Sequence, residues 1–102
     1  MTTMSADAIR TIHAHRTAKG AGYAPSIAET LAAARAGLLV DVDTQNDGED
    51  ALVIAESADD ALAEVAMSYA IETSTSHPDG AAAWARERGW TADCITLARD
   101  SA

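Results

Sequence analysis

The chain contains no phenylalanine, one cysteine, one lysine and two prolines. Without phenylalanine the aromatic residues stop at Tyr23, Tyr69, Trp84 and Trp90, and much of the 48% hydrophobic content is alanine. Burial yields about 25 cal/mol per Å² of apolar surface, so an alanine-rich core in 102 residues is small, and a partner or a second copy would add to it. The lone Cys94 excludes an intramolecular disulfide, fits a reducing cytoplasm, and reads as a small buried apolar residue. No run approaches the roughly 20 apolar residues that span a bilayer. Met1 to Arg10 has no apolar segment of the secretory kind. The scarcity of lysine beside abundant alanine suggests a high-GC bacterial or phage genome.

The most telling absence is positive charge in the middle of the chain. From Ala36 to Ala85 there are eleven carboxylates and no lysine or arginine, and this stretch carries nearly all of the net charge of −9. Before it, Arg10, Arg16, Lys19 and Arg35 outnumber Asp7 and Glu29; after it, Arg86, Arg88 and Arg99 balance Glu87, Asp93 and Asp100. A proteome-wide acidic bias would spread the acid evenly. A one-sign surface repels nucleic acid phosphates and anionic lipid, and attracts a basic groove.

The chain length implies one domain of residues 1–102, or half of a symmetric dimer. Ser5 caps a first helix with Ile9 and Ile12 on its apolar face, and Gly20 and Gly22 end it. Pro25-Ser26 with Glu29 opens a second by a capping box, with Ile27, Leu31, Ala34 and Leu38 as its buried stripe and Gly37 as terminator. At Leu38 the period changes to two. Leu38–Asp43 and Leu52–Ile54, separated by Asn46-Asp47-Gly48, form a β-hairpin. Ser57 and Asp60 open a third helix with Leu62, Val65, Ala66 and Tyr69 inward, and a loop begins at Thr73–Ser76. Pro78 begins a fourth helix carrying Trp84 and stopped by Gly89, and Thr91 caps a short last helix with Ile95, Leu97 and Ala98. The expected fold is α+β: two N-terminal helices, a hairpin, then two to three helices, with an all-α bundle as the alternative.

No spacing completes a catalytic or metal motif. Asp43-Thr44-Gln45-Asn46-Asp47-Gly48 resembles the opening of an EF-hand loop, but Ile54 stands where the bidentate glutamate belongs. His13 and His15, two apart on a helix, point to nearly opposite faces, and His77 is remote from both. Nothing in the sequence beside Cys94 marks it as an activated nucleophile. Neither enzyme activity nor a metal or cofactor is expected. Two helices with Arg10, Arg16, Lys19 and Arg35 admit a helix-turn-helix DNA-binding regulator, which the net negative charge opposes.

The favoured reading is a non-enzymatic inhibitor whose acidic face occupies a basic, nucleic-acid-binding site on another protein. A phage anti-CRISPR or anti-restriction factor acting in the bacterial cytoplasm is its concrete form. Its expected contacts are Asp41, Asp43, Glu56, Asp59, Asp60 and Glu64, with Tyr69, Trp84 or Trp90 as apolar anchors, and with no direct nucleic acid or membrane contact. A homodimeric structural or assembly accessory protein is the further alternative.

Overall fold

The computed structural model describes residues 1–18, 25–45 and 50–99. Its elements run β1 (Thr2–Met4), α1 (Ala6–Ala18), α2 (Ile27–Ala36), β2 (Leu39–Asp43), β3 (Ala51–Ile54), α3 (Ala58–Thr75), α4 (Ala81–Glu87) and β4 (Thr91–Leu97). The strands form one mixed sheet in the order β1-β4-β2-β3, with β1 parallel to β4 and the other pairs antiparallel. This is an α+β fold, with the two N-terminal helices, the β2–β3 hairpin and the two following helices in the expected order.

Local chemistry sets most helix ends. The Ser5 hydroxyl accepts the Ala8 N–H at 3.1 Å. At α2 the capping box is complete: the Ser26 hydroxyl accepts the Glu29 N–H and the Glu29 carboxylate accepts the Ser26 N–H, each at 3.2 Å. Bonding to the Ser26 side chain, and then to its backbone, holds the Glu29 carboxyl below its ordinary pKa. Gly37 closes α2 at φ 74°, a left-handed conformation that costs glycine least, while the Leu38 N–H reaches back to the Ala33 carbonyl at 2.8 Å. Ser57 caps α3 through the Asp60 N–H at 3.1 Å.

The sheet is covered on both sides, which explains where local reading fails. Val40, Val42, Ala51 and Val53 pack under α3 and α4 with Leu62, Val65, Trp84 and Trp90; Leu39, Leu52 and Ile95 pack under α1 and α2 with Ile9, Ala33 and Ala34. Residues 91–97 form a strand, not the expected short helix. β4 lies between β1 and β2, so Ala92 and Cys94 serve one core and Ile95 and Leu97 the other. Cys94 and Ile95 are adjacent in sequence and contribute to opposite cores, which breaks the alternation that identifies a strand in sequence. β1, short and rich in threonine, is a further strand that local patterning does not reveal.

Three helix details also differ from expectation. Helix α3 continues to Thr75 instead of yielding to a loop at Thr73. The hydroxyls of Thr75 and Ser76 bond back to the Ile71 and Glu72 carbonyls at 2.6 Å, which accommodates a Ser/Thr cluster at the helix end. Helix α4 begins at Ala81 behind Gly80, beyond Pro78. In α2 the buried residues are Thr30, Ala33 and Ala34, and Ile27 is exposed. The expected stops at Gly20 and Gly22 and the turn at Asn46–Gly48 lie outside the described residues. Among the described residues no helix is long and apolar enough to cross a membrane.

Candidate functional site

The sheet divides the six candidate contact carboxylates into two groups. Asp41 and Asp43 alternate with Val40 and Val42 along β2, so they project toward α1 and α2. There Arg16 of α1 grips Asp41 in a two-pronged pair, with Nη2 3.0 Å from Oδ2 and Nε 3.2 Å from Oδ1. Its Nη1 lies 3.9 Å from the Asp50 carboxylate. The three side chains are only 17%, 20% and 19% exposed. Asp50 also accepts the Thr44 N–H at 2.9 Å, and Asp43 accepts the Gln45 N–H at 2.8 Å.

One guanidinium thus pairs with two carboxylates and lies in the field of a third, Asp43. Burial disfavours the Arg16 charge, but the bond to Asp41 and the fields of Asp41, Asp50 and Asp43 outweigh it and raise its pKa. Asp41 is raised as well: burial dominates, Arg16 pulls the other way, and Asp50 and Asp43 add repulsion. The two directions are compatible because the cation is shared and the acid is crowded. Asp41 and Asp50 pin α1 to the hairpin, and Asp43 and Thr44, the first two residues of the EF-hand-like segment, spend their polar groups on the turn. Its residues 46–49 lie outside the described residues, and Ile54 sits in β3.

The second group lies across the sheet, on and before α3. Asp59 pairs with Arg86 of α4. Asp60 and Glu64 are exposed one turn apart, Glu56 is exposed just ahead of the helix, and none of the three meets a cation among the described residues. Carboxylates at positions 59 and 60 suit the positive end of the helix, but Glu64 has no such local reason. Glu72 sits in the last turn, where no basic residue offsets it and the helix dipole disfavours a negative charge.

Large apolar side chains accompany these acids. Met67, Tyr69 and Ile71 are 40%, 41% and 62% exposed and flank Ala70, whose φ −151° and ψ 62° interrupt the helix. Tyr69 was expected to face inward; the interruption follows it directly. Trp84 and Trp90, in contrast, are core residues at 8% exposure, packed edge to face with centroids 5.4 Å apart. The Arg88 guanidinium stacks 3.8 Å from the Trp84 ring centre and donates to the Trp84 carbonyl at 3.1 Å. The buried Trp84 indole N–H has no acceptor among the described residues. Sequence reading overlooked Met67 and Ile71. Their signal is that neither fits the buried stripe of Leu62, Val65 and Ala66.

Two of the three histidines make structural contacts. His13 Nε2 lies 2.7 Å from the Pro25 carbonyl. His77 accepts the Asp79 N–H on Nδ1 at 3.0 Å, which places its proton on Nε2, donated to Glu87 at 2.8 Å. Among the described residues no group of three or more His, Cys, Asp or Glu side chains is arranged to hold a metal ion. Of the cations proposed for DNA contact, Arg16 is engaged internally, Arg10 pairs with Asp7 at 3.1 Å, Arg35 is exposed on α2, and Lys19 lies outside the described residues. Comparison of the chain with protein-family models, curated proteins and solved structures finds no match.

Proposed function

We propose that this chain is a non-enzymatic binding protein that presents the acidic side of α3 to a basic site on another protein. It blocks a surface that otherwise holds nucleic acid. The observation that carries this reading is an 18-residue helix with no lysine or arginine, on which Asp60 and Glu64, with Glu56 ahead of them, stand exposed and without a cation. Such a surface costs local stability, since Asp60 and Glu64 are like charges four residues apart. It offers in return a field that accelerates encounter with a basic groove. An inhibitor of the anti-CRISPR or anti-restriction kind, acting in the bacterial cytoplasm, has the size and charge placement this requires.

The division of the acids narrows the contact set. Asp41 is paired with Arg16 and Asp43 bonds the Gln45 N–H on the opposite side of the sheet from α3, so the contacts are assigned to Glu56, Asp60 and Glu64, with Asp59 partly satisfied by Arg86. The pair with Arg16 also counts against a DNA-binding regulator built on α1 and α2, whose central cation is already spent. The test is capture from nuclease-treated bacterial lysate by the wild type and by Glu56→Lys/Glu64→Lys. The reading expects nucleic-acid-binding proteins on the wild type and none on the variant. Equal capture by both overturns it.

A further inference from the structure

Helix α3 has no local reason to break at Ala70. Between Ala58 and Thr75 there is no proline or glycine, and alanine is the residue that favours a helix most. The Ser68 hydroxyl bonds back to the Glu64 carbonyl at 3.0 Å, which bends a helix without interrupting it. The reason lies in what each half buries. Ahead of the break the core takes Ala61, Leu62, Val65 and Ala66. Continued without interruption, that stripe would next carry Tyr69, at i+7 from Leu62 and i+4 from Val65. Glu72 would follow at i+7 from Val65, and Thr73 at i+7 from Ala66. In the structure all three are exposed. The inner positions fall one residue later: Ala70 packs against the core, and Ser74 is fully buried.

We propose that the interruption at Ala70 is a register switch, which holds Glu72 out of the core and in doing so displays Tyr69. The other register is an uninterrupted α3 with Tyr69 inside. Opposed terms separate the two packings. Burying an aromatic ring in place of the Ala70 methyl favours the uninterrupted helix, as does the helix propensity of alanine. Turning an ionised carboxylate toward an apolar core opposes it. The shifted segment also has its own end. The Ser76 N–H reaches the Glu72 carbonyl at 3.2 Å, and the Thr75 and Ser76 hydroxyls bond back to the Ile71 and Glu72 carbonyls at 2.6 Å. An element with two discrete packings is set by the few side chains that tell them apart.

The inference goes beyond the function proposed above and does not depend on it, because Glu56, Asp60 and Glu64 all precede the break. The switch governs the display of Tyr69 and the path of residues 71–76 into α4. Nuclear magnetic resonance reads it at two points. The Cα shift of Ala70 distinguishes helical from non-helical backbone, and relaxation by a soluble gadolinium chelate reports exposure of the Tyr69 ring. The wild type should give a non-helical shift and strong relaxation. In Glu72→Ala and Glu72→Leu the Ala70 shift should become helical, and the Tyr69 relaxation should fall severalfold, to that of a core side chain. Glu64→Ala, which removes a carboxylate ahead of the break, should leave both readings as in the wild type.

The inference is overturned if Ala70 stays non-helical and Tyr69 stays exposed in both Glu72 variants, with dispersed amide spectra showing that each is folded. Glu72 then does not set the register. It is overturned equally if Glu64→Ala moves the Ala70 shift as far as Glu72→Ala does, since the effect is then one of general helix charge. Lysate capture, which tests the functional reading, is read separately and is expected to be unchanged by Glu72→Ala.

Discussion

Arg16→Met and Asp41→Asn break the same ion pair, yet the structure predicts very different costs. At an effective dielectric constant of about 20, unit charges at the Asp41 and Asp50 separations attract Arg16 by about 5 and about 4 kcal/mol before desolvation. Most of that offsets the loss of water around groups that are about four-fifths covered. Removing the guanidinium leaves Asp41, Asp43 and Asp50 clustered without a cation. Stranding fully buried charges costs about 3–5 kcal/mol, so these partly exposed ones place Arg16→Met at about 2–3 kcal/mol. Asp41→Asn removes a charge whose ionisation burial and its acidic neighbours oppose, and leaves Arg16 beside Asp50. It should cost less than about 1 kcal/mol at neutral pH, or stabilise.

The pH dependence follows from the raised Asp41 pKa. An acid that holds its proton more tightly when folded contributes stability fully below the ordinary carboxylate value, about 4, and loses it as pH rises through the raised value. The stability of the wild type relative to Asp41→Asn should therefore be greater at about pH 3.5 than at about pH 7. Urea denaturation followed by far-ultraviolet circular dichroism measures each difference. The reasoning is refuted if Asp41→Asn at neutral pH costs as much as Arg16→Met, or if the pH trend runs the other way.

Three further outcomes follow from single contacts. Ser26→Ala should cost about 1 kcal/mol in urea denaturation, because it removes the hydroxyl that caps α2. Trp84→Phe deletes an indole N–H that has no acceptor, and relief of that buried donor, about 1–3 kcal/mol, offsets lost packing. The net change should stay within about 1 kcal/mol, whereas Trp84→Ala should cost about 3–5 kcal/mol. Glu64→Lys replaces a like-charge pair with an attractive one at the same spacing, so it should raise stability by a few tenths of a kcal/mol, roughly, while weakening partner capture. A thermal melt run beside a capture assay separates the two effects.

What the sequence reveals is what short-range chemistry decides. The caps at Ser5, Ser26 and Ser57, the stop at Gly37 and the pairing of β2 with β3 all depend on residues a few positions apart, or on an uninterrupted period. β4 is hidden from local reading because the strands that pair with its two edges, β1 and β2, lie about ninety and fifty residues earlier, and the helices that cover its faces are equally remote. The same limit applies to the site. Arg16 and Asp41 are separated by 25 positions, so nothing local marks Asp41 as the partner of an internal ion pair. Asp60 and Glu64 were legible because they share one helix face, and Met67 and Ile71 lay on that helix unremarked.

In the proposed function α3 meets a basic, nucleic-acid-holding site through its acids. The most direct test is the association rate of a captured partner with the immobilised chain, measured across a salt series and then with duplex DNA in competition. The rate should fall steeply as salt rises, and saturating DNA should keep the partner from binding. A rate indifferent to salt, with binding that persists under saturating DNA, would contradict it.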